Sequence, residues 1–122
     1  MSIIRTSYYY KVRNKAEDYY KVAISLTAPT GEYDSHALKL APTQDMLWYY
    51  KNSFISEAEY TRMYNKILDK LKADGSLDGF VKDFRKHDKV LLLCYEGKYK
   101  FCHRHILADY LNRHYALDIT EL

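Results

Sequence analysis

Two cysteines and a histidine lie close together in the stretch VLLLCYEGKYKFCHRHILADYL. Cys94 closes a run of aliphatic residues, and a segment with helical spacing opens at Cys102. A cysteine beside a histidine can act as a nucleophile with its base, and Glu96 can orient the base or serve as an acid–base group. We therefore predict a catalytic set of Cys94, Cys102 and His103.

An anion site is expected at the same place. In open α/β sheets, ligands bind beyond the carboxyl ends of the strands, where helix N-termini present unpaired N–H groups. Lys98, Lys100 and Arg104 can hold a phosphate or carboxylate together with such a helix N-terminus. The same positive potential favours the thiolate form of a nearby cysteine.

The same residue types can also serve other purposes. Cys94, Cys102, His103 and His105 are all zinc-ligand types, but at ~100° per residue His103 and His114 point inward while His105 points to solvent. We therefore predict no metal. A cysteine phosphatase needs a tighter phosphate-binding loop than the interval from Cys94 to the arginine allows. Ordinary packing is the alternative, with Cys94 as a small buried hydrophobe and His103 as a core histidine, and for the residues taken alone it is the commoner role.

Composition indicates the class of protein. The 122 residues, 48% of them hydrophobic, suffice for one compact core, so we predict a single domain over residues 1–122. The chain has no apolar run of about eighteen residues and no secretory pattern at its start, which predicts a cytoplasmic protein without a membrane partner. Its two cysteines are then expected to be free thiols or thiolates rather than a disulfide.

The fourteen tyrosines are the unusual feature of the composition. Their rings can stack on bases or line a pocket, but we favour a role at the margins of a small core, where an amphipathic ring fits well. The net charge of +3, with acidic and basic residues interleaved, does not indicate a nucleic-acid partner.

Strand patterns occur at four places. Val90–Cys94 is a continuous aliphatic run, typical of a central strand that is covered on both faces. Tyr20–Leu26 alternates apolar and polar residues, which predicts a strand with one apolar face. Ile3–Thr6 and the C-terminal ALDITEL are shorter candidates, and the segment APTGEYDSHALKL is predicted to be a loop because it contains proline and glycine.

Helical patterns separate these strands. The predicted helices are Pro42–Lys51, a segment from Ser56 to Gly75, a segment that opens at Ser76, and Cys102–His114. Ser56 and Glu59 form the S-x-x-E capping pattern. Helices between strands indicate crossover connections, so we predict an α/β fold, a small Rossmann-like three-layer domain with a short, mostly parallel sheet.

The segments LAPTQDMLWYYKNSFISEAEYTRMYNKIL and VLLLCYEGKYKFCHRHILADYL contain an L-A-P-T segment, an E-Y-x-x-x-Y helix and an L-C-x-E…C-H-R-x-x-L-A motif. In these motifs, and in the opening I-x-T-S-Y, the chain resembles the family named domain of unknown function 488. The resemblance implies a small α/β Rossmann-like domain and little about activity. It singles out a polar set of Thr6, Ser7, Tyr8, Pro42, Lys51, Tyr60, Tyr64, Cys94, Glu96, Cys102, His103 and Arg104. The loop GKYKF lacks the acidic-proline turn of relatives.

These positions suggest one ligand site at a sheet edge, where the ends of two strands meet the start of the last helix. We expect its ligand-binding residues to be Thr6, Ser7, Tyr8, Glu96 and Arg104, and its ligand to be a nucleotide or another phosphorylated, planar molecule. A non-enzymatic module that sequesters a ligand or docks on a protein partner is the alternative. Direct nucleic-acid binding is a third hypothesis, which the small charge disfavours. The sequence does not identify a cofactor or an oligomeric state.

Overall fold

The computed structural model describes residues 2–97 and 100–122, and its centre is a five-stranded sheet. The strands are β1 (Ile3–Tyr8), β2 (Tyr20–Ala23), β3 (Ser35–His36), β4 (Lys89–Cys94) and β5 (Thr120–Glu121). Their order is β3-β2-β4-β1-β5, and every described pairing is parallel. The predicted three-layer α/β architecture is confirmed, with a sheet that is more uniformly parallel than expected.

Helices cover both faces of this sheet unequally. They are α1 (Tyr9–Val12), α2 (Gln44–Lys51), α3 (Glu57–Ala73), α4 (Ser76–Phe84) and α5 (His103–Tyr115), with a short 3₁₀ helix at Leu38–Leu40. Helices α2 to α5 pack in the larger core on one face, and α1 packs in a smaller cluster on the other. None of the helices in the described part of the chain is long and apolar enough to span a membrane.

The central strand behaves as its sequence predicts. The side chains of Val90 and Leu92 lie in the larger core, and those of Leu91 and Leu93 lie in the smaller cluster. All four are completely buried because β4 has neighbours on both sides and layers on both faces.

Local helix signals are also confirmed. The hydroxyl of Ser56 accepts a hydrogen bond from the Glu59 N–H at 3.1 Å, and the Glu59 carboxylate accepts one from the Ser56 N–H at 3.3 Å, which completes the capping box. Gly75 adopts a φ of +86°, a left-handed conformation that suits glycine between α3 and α4. Helix α4 begins at Ser76, and Gly75 occupies its N-cap position.

Three local predictions are wrong. The strand predicted over Tyr20–Leu26 ends at Ala23, and Val22 to Ser25 are buried without alternation because β2 is an internal strand. The segment predicted as a loop contains the two-residue strand β3, whose pairing with β2 is a tertiary contact. His114 is exposed, since it lies in the last turn of α5 beyond the core.

Candidate functional site

The carboxyl edge of the sheet brings the two cysteines together. Tyr8 and Cys94 are register partners at the ends of β1 and β4. The chain then returns so that Cys102 is the N-cap of α5, and no side chain caps this helix by a hydrogen bond. Unpaired N–H groups at the start of a helix create a positive potential there, and Cys102 lies at that end of α5.

A cavity of about 470 Å³ opens beside this helix start. Its aromatic walls are Tyr50, Tyr60, Tyr95 and Phe101, and its charged lining residues are Lys51, Lys100, Glu57 and Glu96. Cys102 and His103 also line it. Burial, with the Glu96 carboxylate and Tyr50 adding to it, raises the pKa of Tyr60, so this hydroxyl stays protonated and can donate a hydrogen bond into the cavity. Size and lining suit a small, partly planar ligand.

The expectation of free thiols is wrong for this structure. The sulfur atoms of Cys94 and Cys102 lie within bonding contact as a disulfide pair, and the described residues include no free cysteine. Their Cα atoms are 7.7 Å apart, beyond the ~4.4–6.8 Å of most disulfides, a spacing that also accommodates two separate thiols. The prediction rested on the small number of cysteines and on the absence of an export signal. Neither of these contains the tertiary contact that brings the end of β4 next to the start of α5.

His103 is oriented as a base toward Cys102. Its Nε2 lies 2.7 Å from the carbonyl oxygen of Ile24, which can only accept, so Nε2 carries the proton. Nδ1 then holds its lone pair 3.7 Å from the Cys102 sulfur. Burial lowers the pKa of His103 to about 4, which outweighs the Ile24 hydrogen bond and keeps the ring neutral at neutral pH. The predicted divergence of His103, buried, and His105, exposed, is confirmed.

Arg104 lies behind the cavity, completely buried, with all five N–H donors in use. Nη1 donates to the Cys94 sulfur at 2.9 Å and to the Glu96 carbonyl oxygen at 2.7 Å. Nη2 donates to the Gly97 carbonyl oxygen at 3.2 Å. The Glu121 carboxylate accepts the remaining bonds, from Nη2 at 2.9 Å and from Nε at 3.1 Å. The guanidinium therefore holds the backbone at Glu96 and Gly97, and because its donors are all used within the protein it is not free for the anion role expected of it.

Glu121 is a site residue that sequence reasoning missed. Its Oε1 also accepts a hydrogen bond from the Thr6 hydroxyl at 2.5 Å, which ties β1, α5 and β5 together. Burial raises the pKa of the Glu121 carboxyl, but the hydrogen bonds from Arg104 and Thr6 have the larger combined effect and lower it overall. The strand pattern of ALDITEL predicted β5, but nothing in the sequence indicated its partner.

The other predicted ligand residues are dispersed. The Thr6 hydroxyl donates its hydrogen bond to Glu121, and the centroid of the Tyr8 ring lies 5.5 Å from the Arg104 guanidinium carbon. Ser7 is register partner to Leu93, whose side chain lies in the smaller cluster, and its buried hydroxyl oxygen has no hydrogen-bond partner among the described residues. Glu96 lines the cavity.

The remaining residues that the family resemblance singled out lie around the cavity. Pro42, Lys51 and Tyr60 line it. Tyr64 lies beneath, with its ring 5.4 Å from the His103 ring and its hydroxyl donating to the Leu40 carbonyl at 2.6 Å. Lys100 lines the cavity, and Lys98 falls outside the described residues.

A metal would find three ligands here. The sulfurs of Cys94 and Cys102 and a carboxylate oxygen of Glu96 all lie within 4.8 Å of one another. A structural zinc ion takes four ligands, and both sulfurs would have to be free thiolates. The Arg104 guanidinium, 2.9 Å from the Cys94 sulfur, opposes a second cation at the same atom. The arrangement favours thiol chemistry over metal binding.

Comparison with known proteins places the chain in a family. Residues 1–115 match the family model DUF488-N3a, described as the active DUF488-N3 subclade. No curated protein and no solved structure matches the chain. The match ends before β5, so Glu121 lies outside it. Since the matched segment contains the L-C-x-E…C-H-R motif together with most of the sheet and all of the helices, the chain belongs to the DUF488 family.

Proposed function

We propose that this domain binds a small nucleotide-like ligand in the cavity and acts on it through Cys102. The observation that carries the proposal is the Cys102 sulfur, which lines the cavity at a helix N-cap and lies 3.7 Å from the unprotonated Nδ1 of His103. A nucleophile, a base and a group that orients the base are the parts that covalent catalysis by cysteine requires. The Ile24 carbonyl is the orienting group.

The aromatic and charged residues that line the cavity support this class of ligand. Four aromatic rings offer stacking surfaces for a planar group, and Tyr60 supplies a hydroxyl donor. Lys51 and Lys100 are exposed at the cavity and can pair with a phosphate, assisted by the start of α5. A cytoplasmic location, expected from the sequence, suits this chemistry because that compartment keeps thiols reduced.

The reaction requires the dithiol form. The Cys102 sulfur attacks an electrophilic centre of the ligand, and its proton passes to His103 Nδ1 in the same step, because a ring with a pKa of about 4 does not hold the proton beforehand. As the new bond to sulfur forms, the leaving group departs with its electron pair and takes the proton from His103. Water then attacks the ligand fragment and breaks its bond to the sulfur, while the same imidazole takes the proton of that water and returns it to the departing Cys102 sulfur. Arg104 holds the backbone that follows Cys94 in place by donating hydrogen bonds to the carbonyl oxygens of Glu96 and Gly97.

Ligand binding is expected to depend on Lys51. Titrating reduced protein with nucleoside monophosphates in a calorimeter should give saturable binding, and Lys51→Met should weaken it by about ten-fold, equal to about 1.4 kcal/mol. The matched control is Lys82→Met, which changes an exposed lysine of α4 remote from the cavity lining and should bind as the parent does. Failure of the whole nucleotide series to bind, or equal weakening by both variants, would contradict the proposal.

Turnover separates an enzyme from a module that only sequesters its ligand. Reduced protein is incubated with each bound nucleotide, and products are followed by mass spectrometry. Cys102→Ser is expected to abolish product formation and leave the calorimetric affinity nearly unchanged, because a hydroxyl replaces the thiol with little change of volume. Tight retention of unaltered nucleotide by both proteins would instead support the non-enzymatic alternative.

A further inference from the structure

We infer that Cys94 and Cys102 form a dithiol–disulfide couple that exchanges with a small-molecule disulfide bound in the cavity. The two sulfurs are in contact, and one of them lines a cavity large enough for a small molecule. This activity goes beyond the proposed function, because it requires the cysteines and the space beside them but no nucleotide.

The two cysteines are not equivalent, and the difference assigns their roles. Cys102, which is 4% exposed, lines the cavity and lies at the positive end of the 13-residue helix α5. Cys94 is completely buried at the end of β4 and does not line the cavity. Cys102 is therefore the attacking sulfur, and the cavity accommodates the small-molecule half of a mixed disulfide.

Cys94 is suited to the second step. Its sulfur contacts that of Cys102, and the Arg104 guanidinium donates to it at 2.9 Å, which favours a thiolate in the reduced protein. Arg104 is held by the Glu121 carboxylate and two carbonyl oxygens, so its charge stays beside the sulfur. A resolving thiolate thus lies within reach of the mixed disulfide and away from competing solvent.

The exchange proceeds in two balanced steps. The Cys102 thiolate attacks one sulfur of the small disulfide, the sulfur–sulfur bond of that molecule breaks, and the first small thiolate leaves with the electron pair. The Cys94 thiolate then attacks the Cys102 sulfur, breaks the mixed bond and releases the second small thiolate. The protein dithiol has lost two electrons, the small disulfide has gained them, and the two thiol protons pass by way of His103 or solvent to the released thiolates. Since the oxidised protein has no Cys102 nucleophile, the same exchange also switches off the proposed reaction.

The test uses a chromogenic aromatic disulfide, dithiobis(nitrobenzoate), on the fully reduced full-length chain. The parent protein is expected to release two coloured thiolates per chain and to retain no probe by intact-mass analysis. Cys94→Ser should release one and retain one probe group on Cys102. Cys102→Ser should react at least about ten-fold more slowly, because its remaining thiol is sealed from solvent.

Retention of a probe group on each cysteine of the parent protein would overturn the inference, as would a Cys102→Ser variant that reacts as fast as the parent. The product mass of the parent protein alone decides the outcome if a variant does not fold. The two proposals are separated by measuring both nucleotide binding and exchange on the same reduced parent protein, with Lys82→Met, remote from the cavity lining, as the variant that should change neither. Exchange without nucleotide binding would remove only the proposed function, and nucleotide binding without resolution by Cys94 would remove only this inference.

Discussion

Replacing Arg104 by alanine is expected to lower the free energy of unfolding by about 3–5 kcal/mol, as removal of one member of a buried ion pair commonly does. The side chain is completely buried and makes five hydrogen bonds. Its loss leaves the half-buried carboxylate of Glu121 without a cation, and the carbonyl oxygens of Glu96 and Gly97 without donors. Urea denaturation of reduced protein measures the change.

Two comparisons show whether geometry or charge is responsible. Arg104→Lys keeps the charge, but a single ammonium group cannot reach all five acceptors, so an intermediate loss of stability is expected. Arg62→Ala removes an exposed arginine of α3 and should stay within about 0.5 kcal/mol of the parent protein. If Arg104→Ala were as mild as Arg62→Ala, the buried network would contribute nothing to stability, and the role assigned to Arg104 would have to be withdrawn.

The stability of the protein is expected to fall by about 3 kcal/mol as the pH decreases from about 6.5 to about 4, owing to His103 alone. Burial lowers the folded-state pKa of His103 from 6.5 to about 4. Between these pH values the His103 side chain is protonated in the unfolded chain but not in the folded protein. The unfolded state is therefore stabilised relative to the folded state as the pH decreases. The contribution is fully present above pH 6.5 and is lost as the pH falls through the folded pKa.

The matched control is His103→Gln, whose amide can still donate to the Ile24 carbonyl but does not titrate. Unfolding free energies of both proteins are measured by urea denaturation across this pH range, and the difference between the two curves isolates His103 from other titrating groups such as His105, whose pKa burial also lowers. Parallel curves would mean that His103 titrates normally. The lowering of its pKa by burial would then be contradicted.

Short-range order was predictable because it depends on neighbours along the chain. The helical period placed His103 inside and His105 outside, and the S-x-x-E pattern at Ser56 predicted a capping box that the structure contains. The aliphatic run of β4 likewise predicted a central strand covered on both faces. In each case the signal and the structure lie within a few residues of each other, so side-chain periodicity and backbone hydrogen bonding determine the outcome.

The site itself combines residues that are distant in sequence. The sequence by itself determined the three-layer α/β class, a cysteine at a strand end, and a cysteine, a histidine and an arginine at the start of a helix. Only the tertiary structure decided that the two sulfurs meet and that Arg104 forms its ion pair with Glu121 rather than with a ligand. It also decided that Tyr50, Tyr95 and Phe101 help to enclose the cavity. The physical reason is the strand order: β4 lies between β2 and β1, and β5 lies beside β1, and this order depends on long-range packing that no local periodicity contains.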